Sequence, residues 1–83
     1  MYSLYLSKKN LKELEDIPEP YYSKIKKEIY ALKENPFPNG YIKLTNEKAY
    51  RIRVGNYRII YEVNENILTI EIVKIGHRKD VYK

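Results

Sequence analysis

The chain has 83 residues, one histidine, no cysteine and a net charge of +5. That length predicts one domain, residues 1–83, with a modest core. It excludes a disulfide framework, a thiolate metal site and a histidine-rich metal cluster, and no cofactor site is expected. Met1 to Ser7 is too short and too soon followed by charge for a signal peptide, and no run reaches membrane-spanning length. A soluble cytoplasmic protein without a membrane partner is expected.

Tyr2 to Leu6 alternates apolar and polar side chains and predicts a first strand. Ser7 can N-cap a short helix with Leu11 and Leu14 on one face. Pro18 and Pro20 interrupt the chain, and Pro20 suits the start of a second helix. Tyr22, Ile25, Ile29 and Leu32 then fall at helical spacing and make an apolar stripe for the core. Asn35 to Gly40 ends that helix, and Tyr41 to Thr45 is a short strand or an extended connector. Three strands follow, at about 48–54, 57–64 and 67–75, with turns at Gly55-Asn56 and near Glu65-Asn66.

The strand pattern separates two faces. Tyr50, Ile52, Val54, Ile59, Tyr61 and Val63 share one, together with Leu68, Ile70 and Ile72. That face must be covered by the helices. Arg51, Arg53, Arg58, Ile60, Glu62, Thr69 and Glu71 share the other. The predicted class is therefore α+β. An antiparallel sheet of about four strands, in β-α-α-β-β-β order, carries two helices packed on one face.

Charge is unevenly placed on this frame. Residues 1–40 carry seven basic and six acidic side chains, residues 41–83 nine and five, and all four arginines lie in the second half. Lysine decorates the helices, whereas arginine, the better bidentate phosphate ligand, sits in the strands and tail. A two-residue turn sets Arg53 opposite Arg58 and Arg51 opposite Ile60. Like charges directly opposite destabilise a sheet, so a solvated face paired with Glu62 and Glu71 explains the arrangement less well than a polyanion does.

The tail, Lys74 to Lys83, adds His77, Arg78 and Tyr82 near that face, with Gly76 releasing the strand. A cationic bed with a phenol and an imidazole, but without paired carboxylates or a serine or cysteine nucleophile, suits metal-independent RNA cleavage. The substrate's own 2′-hydroxyl is then the nucleophile, and the protein orients it, helps a proton leave and stabilises the phosphorane.

The run from Ala49 to Tyr61, YRxRxGxYRxxY, followed by the GHRxxVY tail from Gly76 to Tyr82, resembles the RelE branch of the RelE/ParE toxin superfamily. The motif match spans about residues 43–83. The resemblance implies a RelE-like, microbial ribonuclease-type fold. It implies the toxin of a toxin–antitoxin pair, a ribosome-dependent endonuclease that cuts mRNA in the A site of a 70S-type ribosome. Its partners would be mRNA, the ribosome and a cognate protein antitoxin.

By motif position, Arg51 and Arg53 fall where the family has basic residues contacting RNA and the scissile phosphate, with Arg53 also a catalytic candidate, and Lys43 and Lys79 are further candidate RNA contacts. Arg58 matches the arginine that stabilises the transition state. Arg78 matches the one assigned to phosphate or leaving-group assistance, and Tyr82 the tyrosine that orients or activates the 2′-hydroxyl. Some members carry lysine where Arg51 and Arg53 stand. Arginine is a poor base, so Tyr82 or His77 would have to act as one. Two other readings remain. One is a ParE-like toxin that poisons DNA gyrase by binding, a branch that generally lacks the tail arginine and tyrosine. The other is an RNA-binding module without catalysis.

Overall fold

In the computed structural model, which describes residues 1–45 and 48–77, seven elements follow one another. They are β1 (Ser3–Leu6), α1 (Lys8–Glu15), α2 (Tyr21–Ala31), β2 (Ile42–Lys43), β3 (Ala49–Val54), β4 (Tyr57–Asn64) and β5 (Thr69–His77). The strands form one sheet in the order β1-β5-β4-β3-β2.

Two features of the sheet differ from expectation. It has five strands, because the connector after the Pro-rich loop pairs briefly with β3, Ile42 against Arg51 and Lys43 against Tyr50. It is also mixed: β2 to β5 run antiparallel, but β1 lies parallel to β5, Ser3 against Thr69 through Leu6 against Ile72. Alternation reports which face a side chain takes, not which way the strand runs.

Both helices start where local chemistry allows. The Ser7 hydroxyl accepts from Asn10 N at 3.1 Å and donates to Asn10 Oδ1 at 2.8 Å, an N-cap closed from both sides. At α2 the Glu19 carboxylate accepts from Ser23 N at 3.0 Å and Ser23 Oγ at 2.7 Å, and these bonds hold its pKa below the ordinary value. Each satisfies an orphan N–H of the first turn.

The predicted stripe on α2 is the core. Ile25, Ile29 and Leu32 are buried against Ile52, Ile59, Tyr61, Ile70, Ile72 and Ile75 of the sheet, with Leu14 and Ile17 closing one side. On α1 the expectation holds only in part, since Leu11 is 45% exposed and Asn10 is buried instead. Asn10 Nδ2 reaches Glu13 Oε1 at 2.7 Å and the Val73 carbonyl at 3.2 Å, so α1 is tied to β5 by a satisfied amide.

Two irregularities in β5 matter for the site. The turn before it is longer than the alternation implies. Asn64 Oδ1 accepts from Asn66 N and Ile67 N, and Leu68, at φ 49°, is half exposed in the turn, not on the core face. Tyr61 then pairs with Ile72 but Ile60 with Lys74, so Val73 is an extra residue, a β-bulge. The bulge keeps both Ile72 and Ile75 in the core although three positions separate them.

Candidate nucleic-acid interface

The first hairpin has the register its alternation dictates: Val54 against Tyr57, Arg53 against Arg58, Arg51 against Ile60. Extending the rows onto the neighbouring strands defines the face away from the helices. One row runs Arg53, Arg58, Gly76, and the next runs Ile42, Arg51, Ile60, Lys74. Arg53 is exposed, Arg51 and Lys74 are half-buried, and Arg58 is only 4% exposed. A buried guanidinium on a central strand has few rotamers available, so the position of the Arg58 charge is well fixed.

The other end of the same face is acidic. Glu62 stands opposite Glu71, with Tyr5 beyond. A hollow of about 420 Å³ opens there, lined in part by Lys48, Glu62, Glu65, Thr69 and Glu71. Its carboxylates repel a phosphate chain, so this hollow suits a nucleic acid poorly. The face is thus polarised, cations at the β3–β4 turn and carboxylates at the β4–β5 turn.

The hairpin tip is braced from the helix side. Gly55 has φ +60°, and a Cβ added there would stand 2.8 Å from Cε1 of Tyr21. Only glycine allows this backbone and this approach together. The Tyr21 ring lies 5.4 Å from that of Tyr57, and Tyr57 lies 5.5 Å from His77 in an edge-on contact. Tyr50 belongs to a second aromatic group with Phe37, Tyr41 and Tyr61. The strand tyrosines accordingly pack on the core side, as their parity requires.

The structure separates several residues that the sequence places together. His77 pairs with Tyr57 and so lies on the helix side of the sheet, the face opposite Arg58. Lys43 pairs with Tyr50 and is likewise off the arginine face, whereas Ile42 is on it. Arg78, Lys79 and Tyr82 lie outside the described residues. Lys74, which simple alternation assigns to the core face, is brought onto the arginine face by the bulge. The signal for this was present: Ile70, Ile72 and Ile75 change from a spacing of two to a spacing of three.

Comparison with known proteins places this geometry in a family. The family model described as the ParE toxin of the type II toxin–antitoxin system parDE matches residues 4–82. The chain belongs to the ParE toxin family. Within it the toxin is of RelE type. It is 33% identical over 86 residues to a candidate toxin, RelE1, of Methanocaldococcus jannaschii, covering 99% of this chain and 96% of that protein. Its fold superposes on the archaeal RelE–RelB complex of Pyrococcus horikoshii with a TM-score of 0.83 at 30% identity, covering 95% and 97% of the two chains. The antitoxin–toxin complex RelB–RelE of Methanococcus jannaschii gives 0.76 at 32% identity, with 94% of each chain covered. Among the described residues no helix of the toxin is long and apolar enough to cross a membrane.

Proposed function

We propose that this toxin is a ribosome-dependent mRNA endoribonuclease that cuts the codon in the A site and so stops translation. The observation that carries the reading is the arginine bed: Arg58, 4% exposed, directly opposite Arg53, with Arg51 in the next row. A stability-driven sequence avoids that apposition, and an incoming phosphate relieves it.

In the proposed reaction the substrate 2′-oxygen attacks the adjacent phosphorus. The P–O5′ bond breaks, leaving a 2′,3′-cyclic phosphate and a 5′-hydroxyl. Arg51 and Arg53 hold the RNA backbone, with Arg53 also reaching the scissile phosphate. Arg58 stabilises the charge that grows on the phosphorane. Arg78 and Tyr82 take the roles of the family motif: Arg78 assists the phosphate or the leaving oxygen, and Tyr82 orients or activates the 2′-hydroxyl. His77 meets the Tyr57 ring edge-on on the other face, which favours Tyr82 over His77 as the base. A cognate antitoxin of the RelB kind, as named in the complexes of the archaeal relatives, would bind and neutralise the toxin.

The test is purified translation of one mRNA with 5′ ends mapped by primer extension, with and without ribosomes. Wild type should create new ends at A-site codons only when ribosomes are present, and Arg58→Ala and Tyr82→Phe should not. Absence of new ends at any toxin concentration would overturn the reading and leave gyrase poisoning, assayed by trapped cleavage complexes, as the next to examine.

A further inference from the structure

We propose that Lys74 is a further RNA-contacting cation of this face, gripping a phosphate next to the one held by Arg58. The inference rests on the endoribonuclease reading and extends its substrate-binding surface onto β5.

Three observations support it. The first is position. Gly76 stands directly opposite Arg58, and Lys74 is two residues earlier on the same face, opposite Ile60. Lys74 is therefore the diagonal neighbour of Arg58, at roughly 7–8 Å between backbones, a gap that long side chains span. Gly76 carries no side chain to stand between them. Arg51, Arg58 and Lys74 then flank Ile60 from three sides, which makes a cationic track across β3, β4 and β5.

The second is the device that puts Lys74 there. Regular alternation after Ile70 and Ile72 would turn Lys74 into the core and Ile75 out of it. One extra residue, Val73, reverses both, at the cost of a disrupted ladder and a valine left 42% exposed. Bulges recur where a strand must re-aim a side chain beside a functional site. This one is held in place: the Asn10 amide, 4% exposed, donates to the Val73 carbonyl at 3.2 Å.

The third is environment. Lys8, Lys9, Lys24, Lys26 and Lys27 on the helices are exposed, as residues kept for solubility are, whereas Lys74 is half-buried on the sheet. A long side chain that is half-buried on this face can pack its stem on the sheet and present its ammonium as a compact point charge beside the forked arginines.

The experiment uses the full chain in two assays run in parallel. Cutting on programmed ribosomes gives the toxin concentration for half-maximal rate and the rate at saturation. Fluorescence anisotropy with a labelled single-stranded RNA gives the salt dependence of binding whether or not the toxin cuts. Lys74→Ala should raise the half-maximal concentration several-fold, leave the saturated rate close to wild type, and lower the slope of log K against log salt by about 0.7. Lys74→Arg should restore both, and Lys27→Ala should change neither. A Lys74→Ala variant with wild-type melting temperature, half-maximal concentration and salt slope would overturn the assignment. Failure of wild type to cut at all would count against the nuclease reading instead, and the anisotropy slope would still decide Lys74.

Discussion

Arg53 and Arg58 stand directly opposite each other across the β3–β4 hairpin, the first exposed and the second buried. Like charges in that relation cost roughly 0.2–1 kcal/mol. Arg53→Thr, which keeps a good strand former, should therefore stabilise the fold while weakening RNA cutting. A gain of that size raises Tm by about 1–8 °C in a chain of this length. The gain should shrink as salt screens the pair. Calorimetry at low and high salt checks it, and an unchanged or lower Tm at low salt would mean that the apposition is not strained.

Arg58 is the arginine whose loss should matter most to catalysis. Removing a donor aimed at developing charge costs about 10²–10³ in rate. Arg58→Ala should lose that much in the saturated rate of mRNA cutting. Arg58→Lys should recover only part, because an ammonium keeps the charge but cannot form the two parallel bonds of a guanidinium. Full recovery by lysine would show that charge alone is needed. Both variants should be checked for folding by circular dichroism, since the side chain is buried.

Much of this site was legible in the sequence because β-hairpins have strict rules. The Gly55-Asn56 turn fixes the register, and the register fixes which arginines share a face. The stripe from Tyr22 to Leu32 was equally plain, since helical spacing and burial coincide there. What alternation alone missed lies in β5. A single extra residue at Val73 exchanges the faces of everything after it, and so decides where Lys74 and His77 point. The role of Asn10, the partner of the Ser7 cap, was also missed, because a polar side chain at a core position looks like an interruption until its three hydrogen-bond partners are known.

Asn10 should be a stability hot spot of α1. Asn10→Ala abandons Ser7, Glu13 and the Val73 carbonyl together, and an orphaned buried polar group costs about 1–3 kcal/mol. Tm should fall by at least about 4 °C. Ser7→Ala removes only the cap and should cost about 1 kcal/mol. Thermal melts of the two single variants and the double variant would show coupling, since both residues belong to one network. Additive losses would argue against that network.

The brace at the hairpin tip gives a second double-variant test. Gly55→Ala meets a positive φ and the Tyr21 ring at once. Tyr21→Ser removes the ring but not the backbone penalty of about 1 kcal/mol for a Cβ in the left-handed region. Gly55→Ala should therefore cost less stability in the Tyr21→Ser background than in wild type. In the wild-type background it should also depress cutting, because Arg53 and Arg58 flank the turn. Equal costs in both backgrounds would mean that the Tyr21 ring moves aside freely.

Tyr61 is fully buried and its hydroxyl donates to the Pro36 carbonyl at 2.6 Å, which pins the Pro-rich loop beneath the sheet. Tyr61→Phe keeps the ring and deletes that bond, leaving a carbonyl in need of a partner. The expected loss is about 1–3 kcal/mol near neutral pH. Burial also raises the Tyr61 pKa well above its ordinary value of 10. The folded state then holds the proton after the unfolded chain has released it. The stability this contributes is complete below pH 10 and declines as pH rises through and beyond that value. Phenylalanine has no proton to hold, so the stability gap between wild type and Tyr61→Phe should narrow from pH 9 to pH 11. Urea melts across that range would measure it, and a gap that stays constant would mean that Tyr61 ionises as readily in the folded protein as in the unfolded chain.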